Sequence, residues 1–279
     1  MDIQKKSWVS RIPSILILFV LLVFAVAPLL WMISTSFKTT QEASAIPPTF
    51  IPHSPTLEPY IEGWKTKNFT VHFYNTAVVS VITTALCVFL SSMAGYGFSR
   101  FKIKGASLIL TLLFVMQMFP TSVVLIPYYM LMKFFGLINT YASLVFAYTS
   151  FSLPLCIWMM KSFFDTIPKE LDESARIDGC NPLQTFIRIT LPLTRPGLIS
   201  TVIFTFLNAW KEYLFALTLC NKKEMWVISV ALTSFIGEHF TSWNMLMAVS
   251  LLSLLPIVII FLFLQEYMVG GMVSGAVKG

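Results

Sequence analysis

Residues 169–179 read KELDESARIDG, and residues 180–192 continue as CNPLQTFIRITLP. This is the one densely charged stretch of an otherwise apolar chain, and long apolar blocks flank it on both sides. Its spacing predicts two short helices joined at a glycine. A polar helix pair between two blocks that cross a membrane indicates contact with a soluble protein.

Local residue types define this helix–elbow–helix segment. Pro168 suits the first turn of a helix, where its missing N–H is not needed. Gly179 is placed to end that helix, because the left-handed residue after a last turn favours glycine. Asn181 predicts the cap of a second helix, and Gln184, three residues on, can complete a capping box.

The charge of the first helix favours a protein groove over a lipid surface. The alternative is an amphipathic helix pair lying on the membrane, but such helices usually carry a basic polar face. Here four acidic side chains oppose two basic ones, and small side chains share one face. The acidic residues are Glu170, Asp172, Glu173 and Asp178, and the basic ones are Lys169 and Arg176.

Composition places the chain in a membrane. Of its 279 residues, 56% are hydrophobic and only 11% are charged. Such a chain cannot hide its apolar surface in one soluble core, so lipid is its solvent. The four cysteines have no paired spacing and the three histidines stand alone, so neither a disulfide framework nor a metal site is predicted.

The apolar blocks predict an all-α integral membrane protein with six transmembrane helices, each long enough for a hydrocarbon layer of about 30 Å. The fifth block is interrupted by Lys211 and Glu212, and prolines are expected to kink the third and sixth. The predicted spans cover residues 12–37, 72–100, 105–132, 134–160, 196–220 and 240–265.

Loop charges predict the orientation. Because the cytoplasmic side carries the excess of Lys and Arg, both termini are expected there. The loop from Lys38 to His72 is then external, and its prolines predict an extended segment. Twelve of the 19 basic residues lie on the cytoplasmic side: Lys5, Lys6, Arg11, Arg100, Lys102, Lys104, Lys161, Lys169, Arg176, Arg188, Arg195 and Lys278.

Three segments organise the chain in this interpretation. Residues 1–72 hold a cytoplasmic N-terminal segment, the first span and the external loop. Residues 73–270 form a five-helix core that includes the charged loop 164–196, and residues 271–279 form a cytoplasmic tail.

The charged loop resembles the "EAA" loop of bacterial ABC importer permeases. The family pattern is Glu-Ala-Ala, three residues, Gly, nine residues and Ile-x-Leu-Pro. Ser174 departs from the usual alanine but is still small. Segments 118–128, 136–140 and 275–279 look like the sugar-importer branch, close to the maltose-type second permease. The positions carried over are Glu173, Ser174, Ala175, Asp178, Gly179, Ile189 and Pro192.

This resemblance implies a MetI-like permease fold in the bacterial cytoplasmic membrane. It also implies an importer in which different subunits form the path, hydrolyse ATP and deliver the sugar. Two similar permeases, here two different homologues, would surround one path for a mono- or oligosaccharide. Two ATPase subunits would each hold a permease loop in a groove, and an extracytoplasmic binding protein would deliver the sugar. ATP and Mg would be bound by those ATPases and no cofactor by this chain, which has no Gly-x-x-x-x-Gly-Lys-Ser/Thr sequence. We expect a transport subunit, neither an enzyme nor a nucleic-acid-binding protein.

The fifth span supplies the candidate substrate path. Its aromatic and hydrogen-bonding side chains suit sugars, whose rings stack on aromatic faces. The family usually has Asn where Lys211 stands, which raises the possibility of an acidic or phosphorylated sugar. Lys211 could instead pair with Glu212 or extend to the outer surface. The candidates are Asn208, Trp210, Lys211, Glu212, Tyr213 and Gln117, with Asn75 as a weaker one; Gln117 and Asn75 equally suit interhelical hydrogen bonds.

Two alternatives stay open. The same machine could carry a polyol, a glycerol phosphate or an acidic sugar. An ion-coupled secondary transporter should show glycine-broken spans and an acidic residue buried near the midplane, and only Glu212 comes close to that.

Overall fold

The computed structural model describes the backbone of residues 8–237 and 240–276 and the side chains of residues 13–237 and 240–266. Apart from one isolated bridge between Ile236 and Thr241, these residues contain no strand, so the all-α prediction is confirmed. Parts of the predicted N-terminal segment and tail lie outside the described residues, as does His239.

The α-helices are α1 (Trp8–Ser36), α2 (Thr40–Ala43), α3 (Glu58–Thr66), α4 (Phe69–Arg100), α5 (Ala106–Gln117), α6 (Thr121–Phe134), α7 (Tyr141–Asp165), α8 (Glu170–Ile177), α9 (Pro182–Thr185), α10 (Leu191–Leu193), α11 (Arg195–Lys211), α12 (Leu214–Leu219), α13 (Ile228–Leu232) and α14 (Trp243–Ala276).

Four of these helices are long and apolar enough to cross a membrane alone: α1, α4, α7 and α14. Two bent pairs bring the number to six if each pair is one span, namely α5 with α6, and residues 182–193 with α11. The fourth predicted span begins too early, because Gly136 and Asn139 take positive φ values of 68° and 61° after α6. Helix α7 therefore starts only at Tyr141.

The third predicted span is broken, which is more than the kink expected from proline. Helix α5 ends at Gln117, α6 begins at Thr121, and the two axes differ by 99°. Pro120 stands at the break, where it lacks an N–H and disfavours helical backbone in the residue before it.

The fifth predicted span is interrupted where its charges fall. Helix α11 ends at Lys211, Glu212 is extended with ψ 135°, and α12 begins at Leu214. The position of this interruption was therefore correctly predicted.

The helices from Thr70 to Ala231, together with the described residues from Leu255 onward, form one compact unit. Its main core packs α4, α6, α7 and α12 around side chains such as Val79, Leu144 and Leu219. Two glycines let helices approach α7 closely. A Cβ on Gly95 of α4 would lie 2.8 Å from the Lys161 backbone nitrogen, and one on Gly197 of α11 would lie 2.5 Å from the Phe163 ring.

The described residues before Thr70, together with those between Leu232 and Leu254, form the other unit. Its loop after α1 is not simply extended, because it holds α2 and α3; Pro59 occupies the first turn of α3, where proline is tolerated. Glu42 of α2 accepts hydrogen bonds from the His53 backbone N–H, the His53 ring and the Thr49 hydroxyl. These bonds, the backbone one foremost, lower the pKa of Glu42 to about 2.

Apolar side chains remain exposed along the candidate spans. None of the most apolar stretch of α1 is buried, and α5 has no buried residue. A soluble protein would not leave such long apolar faces in water. This surface therefore requires contact with lipid or with a neighbouring membrane subunit.

We expect Gly95→Ala to destabilise the protein by about 1–3 kcal/mol, because its Cβ would meet the backbone and Cβ of α7 at under 3 Å. Gly97→Ala is the matched control: it lies two residues away on α4, and nothing stands within 4 Å of its added Cβ. Thermal unfolding of the two purified variants measures the difference. Equal shifts would contradict the close packing of α4 on α7.

Candidate functional site

The charged loop folds as helix, glycine elbow and helix, as its residues predict. Helix α8 ends at Ile177, and Gly179 follows with φ +85°. The Gly179 N–H donates to the Arg176 carbonyl at 3.1 Å, and the Cys180 N–H donates to the Ala175 carbonyl at 2.9 Å. This pair of bonds is the Schellman helix ending, which satisfies two otherwise free carbonyls.

The whole helix–glycine–helix segment, residues 170–193, is called the elbow below. Its second half begins with the predicted capping box. The Asn181 side chain accepts from the Gln184 N–H at 2.8 Å, and the Gln184 side chain accepts from the Asn181 N–H at 2.9 Å. Helix α9 then passes into one π-helical turn, Phe186–Thr190, before α10. Such π turns inside helical segments are frequent at functional sites.

A buried ion pair anchors the elbow to the spans. Asp172, on the inner face of α8, pairs with the Arg100 guanidinium at the end of α4, and both side chains are at most one-tenth exposed. The Thr190 hydroxyl donates to the other Asp172 oxygen at 2.8 Å. Arg100 also donates to the Ile167 carbonyl at 3.0 Å, just before α8. Three segments that are distant in sequence are thereby held together.

Neighbouring contacts reinforce this anchor. The Ser99 hydroxyl donates to Asp165 at the end of α7 at 2.6 Å, which ties α4 to α7. Above the elbow, the Tyr96 ring packs against Phe164 of α7 and Phe186 of the π turn, with ring centroids 5.6 and 4.9 Å away. The elbow is therefore joined to the ends of α4 and α7 by both charge and aromatic packing.

The elbow presents most of its predicted contact residues to the outside. Ala175 is buried against the chain itself, and Ile189 is half-buried. Sequence reasoning missed Ile177 and Leu183, apolar side chains that are 86% and 60% exposed beside the glycine. The predicted residues that are exposed are Glu173, Ser174, Asp178, Gly179 and Pro192.

Both helix breaks line the same cavity. It has a volume of about 480 Å³, which is within the usual range for small-molecule sites. Gln117, Phe119 and Thr121 border it from the break between α5 and α6, and Lys211, Glu212 and Tyr213 border it from the break between α11 and α12. Helix α7 closes the wall with Tyr148, Phe151 and Ser152.

Hydrogen-bonding groups and aromatic rings alternate around this cavity. Asn208 and Gln117 each donate one N–H to a backbone carbonyl, Phe204 at 3.0 Å and Phe151 at 3.3 Å. Their amide oxygens make no hydrogen bond within the described part of the chain. The cavity therefore offers both apolar surface and acceptors, as a sugar-binding surface requires.

The structure brings five of the six candidate path residues to this wall and leaves Trp210 out. Trp210 is 3% exposed and stacks on Phe206, with an edge contact to Phe73. Asn75 also lies elsewhere: its amide donates to the Glu224 and Trp226 carbonyls and accepts from the Tyr141 hydroxyl. The residues at the wall are Asn208, Lys211, Glu212, Tyr213 and Gln117.

The chain belongs to the family described as "Binding-protein-dependent transport system inner membrane component", which matches residues 87–273. That family assignment confirms the predicted resemblance to ABC importer permeases and makes the chain an inner-membrane ABC permease. The match includes both helix breaks, the cavity wall and the elbow.

Curated relatives extend over nearly the whole chain. The "Sulfoquinovosyl glycerol transport system permease protein SmoH" of Agrobacterium fabrum is 33% identical, over 93% of this chain and 91% of its own length. The "Trehalose/maltose transport system permease protein MalG" of Thermococcus litoralis is 33% identical over 99% and 100%. A chain of a solved bacterial ABC transporter involved in alginate import has the same fold, with a TM-score of 0.81 at 19% identity over 96% of this chain and 99% of its own.

We expect Asp172→Asn to loosen the elbow, because it leaves the Arg100 guanidinium buried without a counter-charge, at a cost of about 3–5 kcal/mol. Hydrogen exchange of backbone amides in residues 170–190 should accelerate. Glu170→Gln is the matched control, an exposed acid on the same helix. The double variant Arg100→Met with Asp172→Asn should lose less stability than the sum of the single variants. Additive losses would show that the two charges do not support each other.

Proposed function

We propose that this chain is the transmembrane permease subunit of a binding-protein-dependent ABC importer for carbohydrates. The observation that carries the proposal is the exposed elbow, which is anchored by Asp172 and Arg100 to the same helical unit that contains the cavity. A motor subunit that moved the elbow would therefore move the walls of the path as one body.

The path is proposed to pass through the cavity at the two helix breaks. Non-helical backbone within an apolar layer is tolerated where it is buried in protein or lines a water-filled cavity. Two breaks on one cavity wall fit the second case. Glu212 stabilises the helix break at which it lies. Its carboxylate accepts hydrogen bonds from the Phe215 and Ala216 N–H groups at 2.8 and 3.1 Å and so caps α12.

The outer face of the elbow is proposed to enter a groove on an ATPase subunit. Its exposed acids, Glu173 and Asp178, would meet basic groups there, and the exposed apolar side chains Ile177 and Leu183 would fill the groove. ATP and Mg would be bound by two such ATPases. With six spans and both termini in the cytoplasm, as the apolar blocks and loop charges predict, the elbow would lie on the side where ATP is available.

Relatives support a carbohydrate as the cargo. SmoH is named for sulfoquinovosyl glycerol and MalG for trehalose and maltose. A second, homologous permease would complete the path, and an extracytoplasmic binding protein would deliver the cargo. A polyol, a glycerol phosphate or an acidic sugar is the alternative within the same machine.

Ion-coupled transport is the second candidate, and Glu212 is the observation that raised it. Its carboxylate oxygens are engaged in capping α12, which favours a structural role over ion exchange. Uptake into proteoliposomes separates the two mechanisms: ABC import requires ATP on the ATPase side and survives ionophores. Uptake that ionophores abolish without any need for ATP would contradict the importer.

Gly179→Pro and Glu173→Lys should leave the protein in the membrane but abolish uptake. Proline cannot adopt the φ of +85° at the elbow, and lysine reverses an exposed charge. The milder Gly179→Ala should lower uptake severalfold. Gly136→Ala is its control, since Gly136 has a similar φ of +68° and equal open space but lies outside the elbow. Normal uptake and normal co-purification of the ATPase with Glu173→Lys would refute the docking role.

The cavity should be open to water. A cysteine at Asn208 should react with a membrane-impermeant thiol reagent in a Cys180→Ser background, because the other native cysteines are buried. Ala209→Cys, one residue away and 4% exposed, is the matched control and should stay unreactive. Equal reaction rates would contradict a water-filled path at the helix breaks.

A further inference from the structure

Lys211 brings a positive charge to the cavity wall without a negative partner. Its side chain is exposed at the end of α11, and no carboxylate among the described residues forms an ion pair with it. At 1.5 Å per residue, Lys211 stands roughly 22 Å along α11 from Pro196, far from the elbow. An ammonium group at membrane depth is retained where it has water or a counter-charge.

The adjacent acid does not provide that counter-charge. Both oxygens of Glu212 face the first N–H groups of α12, at 2.8 Å from the Phe215 nitrogen and 3.1 Å from the Ala216 nitrogen. The Ser229 hydroxyl holds the Glu212 carbonyl in place as well. Glu212 is therefore turned towards its own helix, and the charge of Lys211 stays available to the cavity.

Aromatic side chains line the same wall as Lys211. The Tyr148 side chain is 3% exposed, and its hydroxyl faces the Glu212 carboxylate. The rings of Phe119 and Tyr213 border the cavity and could cover the apolar faces of a sugar ring.

We propose that this cavity selects carbohydrates that bear an acidic group, a carboxylate, sulfonate or phosphate ester, with Lys211 as the counter-ion. The inference rests on the proposed import function and narrows its cargo. A charge-assisted hydrogen bond from the ammonium is the interaction that a neutral sugar cannot make. Amide groups of Asn208 and Gln117 then bind the hydroxyl groups that both kinds of sugar share.

Uptake of matched disaccharides tests this selection in the complete importer, reconstituted with its partner subunits and binding protein. Maltose, cellobiose and trehalose are each compared with the counterpart in which one C6 carries a carboxylate. We expect a preference for the acidic member of roughly tenfold or more in at least one pair. Lys211→Gln should bring the ratio of acidic to neutral uptake close to one, Lys211→Arg should keep most of the preference, and Lys223→Gln, an exposed lysine outside the cavity, should leave the ratio unchanged.

A measurement that needs no knowledge of the cargo accompanies uptake. With Asn208→Cys in the Cys180→Ser background, an anionic methanethiosulfonate reagent should react faster than a cationic one of similar size. Adding Lys211→Gln should cancel the difference. Equal rates before that change would overturn the proposal, because the cavity would then not attract anions.

Two results of the uptake experiment have different meanings. Equal uptake of acidic and neutral sugars, or an equal loss of both in Lys211→Gln, overturns the anion selection and leaves the importer intact. Absence of ATP-dependent uptake for every sugar overturns the proposed function, while the labelling rates still decide whether the cavity favours anions.

Discussion

In the proposed importer, the ion pair between Arg100 and Asp172 is the interaction on which coupling of the elbow to the spans would depend. It joins the end of α4 to the inner face of α8, and Thr190 and the Ile167 carbonyl complete its hydrogen bonds. A buried pair is only modestly favourable overall, but separating it leaves a charge in a low-dielectric site. The elbow is therefore more easily moved together with α4 than pulled away from it. If an ATPase binds the elbow as proposed, this constraint would make the loop a mechanical connection to the spans.

A second constraint supports the proposed position of the path. Backbone N–H and C=O groups released by a helix break need partners, and lipid offers none. The breaks at Pro120 and at Glu212 face one polar cavity, and Glu212 itself caps the helix that follows. Broken helices also change their relative angle more readily than continuous ones, because few hydrogen bonds cross the break. In the proposed importer, the helix breaks that make the site polar would therefore also be the places where its walls can move.

Local signals in the sequence were sufficient for the elbow and the helix interruption. Gly179, Asn181 and Gln184 act on their immediate neighbours, so their caps could be predicted from spacing alone. Lys211 and Glu212 interrupt an apolar block that would otherwise continue. Other local signals misled: the prolines of the external loop suggested extended chain where α2 and α3 form, and the start of α7 depends on two left-handed residues that an apolar block hides.

Features set by packing between distant segments could not be predicted. Arg100 and Asp172 are far apart in the chain, and the charge pattern gives each of them several possible partners. The side of α11 that faces the cavity was equally hidden: Asn208 and Lys211 line it, while Trp210 packs into the core. The sequence did not indicate that Tyr148 lines the cavity, because a tyrosine in an apolar helix usually lies in the protein core or at an interface.

Distances between spin labels in the assembled importer test the central claim that elbow and spans move as one body. One pair of labels joins Ile177 of the elbow to Lys102 beyond the end of α4, and a second joins Ile177 to the equivalent elbow of the second permease. On ATP binding, we expect a changed elbow-to-elbow distance and a constant distance from Ile177 to Lys102. A shift between Ile177 and Lys102 with the elbows at fixed separation would contradict it.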